Sequence, residues 1–122
     1  LELEGAKYNI KANVIAPVAA SRLTEDVMPP AVLDKLKPEF VSPVVAYLVS
    51  EECQVSGNIF TAGGGYVGRA AIVESKGAIL PNLSIEDVRD NIAKITDMTG
   101  ADEFANAFDE VSKRLQPATA VS

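Results

Sequence analysis

The sequence predicts an α/β fold built on parallel strands, and three observations predict it. A short apolar run, Val14-Ile15-Ala16 with Ile10 and Ala12 leading in, ends at Pro17, which has no amide hydrogen and fixes its own φ. A second strand-like run, Asn58 to Thr61, opens at Gly57 and closes in Ala62-Gly63-Gly64-Gly65. Between them lies an apolar helical stretch, Glu39 to Ser50. Strand, helix and strand in that order make one right-handed parallel βαβ unit.

The 122 residues suffice for one domain and not for two. Hydrophobic residues at 48% and charged residues at 23% are a globular composition. The net charge is −6 and the eleven basic residues are scattered, which argues against a nucleic-acid partner, since phosphate neutralisation needs clustered Lys and Arg. The absence of histidine removes Ser-His hydrolase chemistry and most zinc sites, and no metal ligands are proposed. Cys53 is the single cysteine, so no internal disulfide forms, and its place after a helical run suggests a structural role. No apolar run approaches the roughly 18 residues of a membrane span. Leu1 to Gly5, LELEG, is acidic and unlike a signal peptide. The chain opens in mid-helix without an initiator Met, which suggests a fragment.

In chain order, Leu1 to Gly5 reads as the last turn of a helix with Gly5 as its stop. Lys11 to Ala16 is read as a buried parallel strand. Arg22 to Pro38 is a polar loop with short helical pieces, broken at Pro29-Pro30 and at Pro38; a loop of this length in a compact domain is a lid, a binding loop or a plain crossover. In the helix Glu39 to Ser50, Ser42 caps and Pro43 sits in the first turn. Its run Val44, Val45, Tyr47, Leu48 and Val49 leaves almost no polar face, so it should be buried. Ala70 to Glu74 is a candidate short strand. Ser84 starts a marked helix, with Asp87 completing a capping box, Leu83 placed to staple onto Val88, and a stripe of Ile85, Val88, Ile92 and Ile95. Gly100 breaks it. A last helix from Asp102 to Leu115 carries Phe104, Phe108, Val111 and Leu115. Both helices are narrowly amphipathic and need a surface to cover. Residues 117–122 read as a frayed tail.

The stretch beyond Pro17 is the candidate site. In open α/β sheets, ligands sit outside the carboxyl ends of the strands. Val18, Ala19, Ala20 and Ser21 are small enough to let a flat ligand approach the backbone. An ordinary strand end with a small-residue turn explains them equally well. Gly63 to Gly68, GGGYVG, formally spells a dinucleotide fingerprint. A fingerprint also needs a helix opening inside the motif, whereas the apolar, β-branched run Arg69 to Val73 follows. Those glycines suit tight backbone passage beside a ligand or a neighbouring subunit instead.

The order LELEGAKYNIKANVIAP, a lid loop, KPEFVSPVVAYLVSEE and GNIFTAGGG resembles the C-terminal part of a short-chain dehydrogenase/reductase. IAPVAASRLTEDVMP, LKPEFVSPVVAYL, the Gly-Tyr-Val-Gly run and SIEDVRDNIAKITDMTGA are similar to the (3R)-hydroxyacyl-CoA dehydrogenase branch found in peroxisomal multifunctional enzymes type 2. The resemblance covers nearly the whole chain and weakens after about Gly100. It implies a Rossmann-type doubly wound parallel sheet, of which this would be the C-terminal fragment, plus a two-helix extension. The implied division is 1–68 for the Rossmann part, 69–116 for the extension and 117–122 for the tail.

The same resemblance implies NAD as cofactor, a 3-hydroxyacyl-CoA as substrate, a homodimeric parent, fatty-acid β-oxidation and a peroxisomal location. The family's phosphate loop, catalytic Ser and Tyr-x-x-x-Lys would lie before Gly5, in a missing N-terminal Rossmann half, so no catalytic residue is assigned here. Tyr8 and Lys11 are one residue too close for that pair. Pro17 matches the proline whose loop meets the nicotinamide carboxamide; many members follow it with glycine, where this chain has Val18. Thr24 matches a cofactor-contacting threonine but lies two residues further from the proline than usual, and Ser21 can take its place. The implied cofactor-binding residues are therefore Pro17, Ala19, Ala20, Ser21 and Thr24, with Val27 to Leu36 as substrate lid. Ser84 to Leu115 would reach the dimer partner. The chain alone should be inactive and loosely packed or self-associating, because two parallel strands make no independently stable sheet. A small non-catalytic binding or dimerisation module is the alternative.

Overall fold

The computed structural model describes residues 1–120, with side chains through Leu115. It divides into two compact units, Leu1–Ala71 and Ile72–Ser122. The first contains α1 (Glu2–Gly5), β1 (Val14–Pro17), α2 (Pro30–Leu33), α3 (Ser42–Leu48), β2 (Ile59–Gly63) and β3 (Tyr66–Ala70). The strands form one three-stranded sheet in the order β1-β2-β3. β1 and β2 are parallel, with Val14 opposite Ile59 and Pro17 opposite Ala62. The α/β class with a parallel pair joined through a helix is thus the one the sequence predicts.

β1 is displaced from its expected span and pairs through Pro17. The Val14 N–H donates to Asn58 O at 2.9 Å and the Val18 N–H to Ala62 O at 2.8 Å. Alternation along a strand then turns the backbone of Ile15 and Pro17 to the opposite edge. Pro17 lacks its N–H only where β2 needs no donor, so the ladder continues past it. The strand is not buried as expected: it lies at the sheet edge, and Val14 is 57% exposed.

The glycine run makes a hairpin. Gly64 and Gly65 both have positive φ, 60° and 86°, as a two-residue type I′ turn requires. Gly63 pairs with Tyr66 and Ile59 with Ala70 in an antiparallel ladder. The third strand is therefore Tyr66–Ala70, where the sequence suggested Ala70 to Glu74. Gly68 is free of a side chain because the Tyr66 ring lies on it.

Helix ends also differ from expectation. Gly5 does not stop α1; the chain continues into a 3-10 turn over Ala6–Tyr8, and Asn9, at φ 58°, is the left-handed stop. Gly5 is instead buried under Ile10, whose Cβ would lie 3.0 Å from a Cβ at position 5. α3 is shorter than expected and follows a separate 3-10 turn, Pro38–Phe40. Ser42 does not cap it; its hydroxyl donates to Pro38 O at 3.3 Å. Nor is α3 buried, since Val45 and Tyr47 are among the exposed apolar residues. Cys53 is buried.

The second unit holds α4 (Ile85–Thr96) and α5 (Ala107–Ala120). The capping box at α4 is complete: the Asp87 N–H donates to Ser84 Oγ at 3.1 Å and the Ser84 N–H to Asp87 Oδ2 at 3.2 Å. α5 starts five residues later than expected because Asn106 caps it, accepting from the Asp109 N–H at 2.9 Å. It also runs on to Ala120, past the Pro117 at which the sequence suggested a tail; positions 121–122 of that tail lie outside the described residues. Phe104 is consequently in the loop before α5, with the Arg114 guanidinium 4.9 Å from its ring centre. α5 turns Glu110, Lys113 and Arg114 toward a cavity of about 460 Å³ that Val88 and Ile95 of α4 also line. Its apolar stripe of Phe108, Val111 and Leu115 faces solvent.

Both units expose much apolar surface. Two separate globules of these lengths would together present roughly 7,600 Å², whereas the chain presents 9423 Å². Among the described residues, only Cys53 and Ala62 form a fully buried hydrophobic core.

Candidate functional site

The loop after β1 leaves the sheet at the carboxyl ends of the parallel strands, where an open α/β sheet binds its ligands. It is pinned on both sides. Behind it, the Val18 N–H is held by Ala62 O on β2; ahead of it, the Ala20 N–H donates to Leu36 O at 2.6 Å. Leu36 closes the segment that begins with α2, so the loop is bonded directly to the stretch read as a lid. Among the described residues, Ala19 keeps a loop N–H without an intrachain acceptor.

Pro17 and Ala19 line a groove of about 540 Å³ with Pro38, Val41, Val45 and Ala46. The groove carries no charged side chain; its single hydroxyl, on Ser42, is engaged with the Pro38 carbonyl. Such a surface suits a flat ring bonded through backbone groups. It offers no nucleophile and no general base.

The five candidate residues separate into two groups. Pro17 and Ala19 share the groove, with Ala20 tied to Leu36. Ser21 and Thr24 turn toward each other instead: the Ser21 N–H donates to Thr24 Oγ1 at 2.8 Å, and that hydroxyl donates to Ser21 O at 3.0 Å. The Leu23 N–H closes on Ser21 Oγ at 3.3 Å. Both hydroxyls are thus engaged in shaping a turn. Tyr8 ends a 3-10 turn and Lys11 follows it in irregular chain, so the two share no helix. GGGYVG leads into β3 and not into a helix. Residues the sequence did not single out for the site are Val41, Val45 and the Leu36 carbonyl. A side chain carries no signal for a backbone acceptor, and valines on a short helix read as core.

The second unit has a charged cluster of its own. Asp102 receives Lys113 Nζ at 2.7 Å, with Lys76 Nζ and Arg114 Nη1 each at 3.7 Å. The Lys113 hydrogen bond holds the Asp102 carboxyl below its ordinary range, against a smaller opposing effect of desolvation. Its backbone bridges Glu74 in both directions at 2.8 Å. The described residues contain no cluster of metal-ligating side chains and no helix long and apolar enough to cross a membrane.

No protein-family model matches the chain. A protein of Mycobacterium tuberculosis described as a short-chain type dehydrogenase/reductase is 53% identical over 102 residues, covering 83% of this chain and 36% of that protein. The chain is homologous to the short-chain dehydrogenase/reductases. The peroxisomal multifunctional enzyme type 2 of Drosophila melanogaster is 41% identical over 118 residues, covering 93% of this chain and 20% of the relative. The mouse enzyme of the same name is 42% identical over 105 residues. The full-length Drosophila structure superposes with a TM-score of 0.79 at 34% identity, covering 96% of this chain and 22% of that one. The fold is therefore that of a Rossmann-like part of such a dehydrogenase. The chain spans little more than a third of the Mycobacterium relative and about a fifth of the Drosophila one.

Proposed function

We propose that this chain is the C-terminal part of an NAD-dependent (3R)-3-hydroxyacyl-CoA dehydrogenase of fatty-acid β-oxidation. It supplies the nicotinamide-side loop, the substrate lid and dimer contacts to a catalytic half that precedes it. The observation that carries the reading is the Pro17–Ala20 loop, set beyond the carboxyl end of a parallel strand and hydrogen-bonded to Leu36 of the lid. The residues present fit a nicotinamide: an apolar groove floored by Pro17 and Ala19, with the Ala19 N–H unengaged within the described chain. NAD, when bound, accepts the substrate hydride. This chain's part is to wall the ring and shield it from water, with Val27 to Leu36 closing over the acyl group.

The cofactor phosphates need another support. No glycine loop here leads from a parallel strand into a helix N-terminus among the described residues, so the pyrophosphate has no cradle of the usual kind. The proton-managing group comes from the preceding half for the same reason: the groove holds no titratable side chain. The large exposed area supports such a partner, and the outward stripe Phe108, Val111 and Leu115 supports a homodimer. The domain division proposed is 1–68 for the Rossmann part and 69–116 for the extension. The names of the fly and mouse relatives support a peroxisomal location for the parent.

The test is a chimera in which residues 1–122 replace the matching segment of the Mycobacterium relative. It should oxidise a (3R)-3-hydroxyacyl-CoA with NAD, while titration calorimetry of the isolated chain with NAD shows no heat. Saturable micromolar binding to the isolated chain would favour the small binding module instead. A folded chimera without NAD-linked turnover would sink the dehydrogenase assignment.

A further inference from the structure

Gly63, at the carboxyl end of β2, stands against the backbone of Val18. A Cβ built on Gly63 would fall on the Val18 carbonyl oxygen, well inside the 3.0 Å below which such contacts do not occur, and 3.1 Å from the Val18 Cβ. Gly63 is not among the glycines with positive φ. Close approach, and not backbone conformation, is what requires glycine here. Nor can the oxygen readily turn away, because the Val18 N–H is bonded to Ala62 O at 2.8 Å, and the Ala20 N–H is bonded to Leu36 O at 2.6 Å. Ala19 lies between these two fixed points.

We propose that Gly63 is a positioning residue for the nicotinamide loop: the absence of its side chain lets Val18 seat on β2, which places Ala19 in the groove and keeps Ala20 in reach of the lid. The proposal rests on the reading of Pro17–Ala20 as the nicotinamide wall. A methyl at position 63 pushes Val18 off the strand and carries Ala19 and Ala20 with it. Wall contacts bind the ring alike in the ground and transition states. Their loss therefore appears chiefly in the NAD KM.

The experiment uses Gly63→Ala and, as a second variant outside the sheet, Ala20→Pro, which deletes the donor to Leu36 and also fixes φ at 20 and restrains Ala19. In the chimera, nitrogen-15 and carbon-13 spectra should show the Val18 and Ala19 amides and the Leu36 carbonyl shifting in Gly63→Ala. The cross-strand residues Ile59 and Ala70 should stay fixed. In the chimera, both variants should raise the NAD KM about tenfold, a larger change than in kcat or in the acyl-CoA KM. Unmoved Val18 and Leu36 resonances in Gly63→Ala would overturn the proposal whatever the kinetics. So would an unchanged NAD KM in a chimera whose parent form is active. A parent chimera with no NAD turnover would instead defeat the assignment of function, and the resonances alone would then decide whether Gly63 seats the loop.

Discussion

Arg114 grips Glu74 with two nitrogens, Nε and Nη2, each 3.0 Å from the same carboxylate oxygen. This ties α5 to the stretch where Glu74 and Asp102 exchange backbone hydrogen bonds, and the same guanidinium lies over Phe104. The Glu74 side chain is 52% exposed, so solvent screens the pair and a large energy is not expected from it. Arg114→Ala should cost the second unit about 1 kcal/mol, from the screened ion pair and the ring contact together. Lysine at 114 keeps the charge but not the fork or the planar stacking, and should recover less than half of that. Urea unfolding of the three proteins checks this; equal stability of the Lys variant and the parent would mean that charge alone matters.

At α4, stability should depend on the Ser84 side chain. Ser84→Ala removes the acceptor for the Asp87 N–H and should cost about 1 kcal/mol, whereas Ser84→Gly should cost only a few tenths. Helix signal across a urea titration separates the two. Identical losses in both variants would show that the cap bond contributes little.

The acid limb of stability should carry the signature of Asp102. Lys113 depresses the folded carboxyl below its ordinary value. A depressed folded value means stability that is fully present well above pH 3.8 and is lost as pH falls through the folded value. Asp97, depressed by the Thr99 N–H, acts in the same direction. Lys113→Met should therefore flatten, but not abolish, the loss of stability below about pH 4. An unchanged acid limb in that variant would show that the Lys113 contact does not shift Asp102.

The parts of the fold legible in the sequence are those fixed by local chemistry. Ser84 and Asp87 announce a capping box, and the structure makes both of its hydrogen bonds. The apolar run before Pro17 and the run after Gly57 announce two strands joined through a helix. What escaped was set by geometry between distant residues. Nothing local shows that Pro17 would face the free edge of β1 and so leave its ladder intact. Nothing local assigns Asn9, in place of Gly5, as the helix stop, because the reason is Ile10 packing on Gly5. Apolar content in α3 looked like burial, but burial needs a neighbour that these residues do not supply. At the candidate site, Ala19 is readable as a small residue past a strand, and Pro17 as the residue that ends it. The turning of Ser21 and Thr24 toward each other was not readable, since either hydroxyl could have faced a ligand.

The exposed surface has a consequence in solution. The free edge of β1, with Ile15 directing its backbone groups outward and Val14 exposed beside it, is open to strand addition. The isolated chain should therefore self-associate as its concentration rises. Val14→Lys, a charge on an edge strand, should reduce this without altering the β2–β3 hairpin. Sedimentation velocity across a dilution series is the measurement. A concentration-independent monomer with a cooperative unfolding transition would contradict the expectation.

The two amphipathic helices separate monomer folding from assembly. Val88 lines the cavity of the second unit at 38% exposure, so Val88→Asp removes apolar contact but sets a carboxylate near Lys113 and Arg114, and should destabilise the unit by about 1 kcal/mol. Phe108 is 79% exposed and sits in the first turn of α5 beside Asp109, where an added carboxylate interacts favourably with the helix N-terminus. Phe108→Asp should therefore leave the unit's stability within about 0.5 kcal/mol. In the chimera, however, the stripe of Phe108, Val111 and Leu115 is proposed to cover a partner surface, and a charge there should weaken dimerisation at least tenfold. Urea titration and sedimentation equilibrium on the same two variants make the comparison. If Phe108→Asp lowers stability as much as Val88→Asp while the dimer persists, the stripe packs within its own subunit and the proposed dimer contact is wrong.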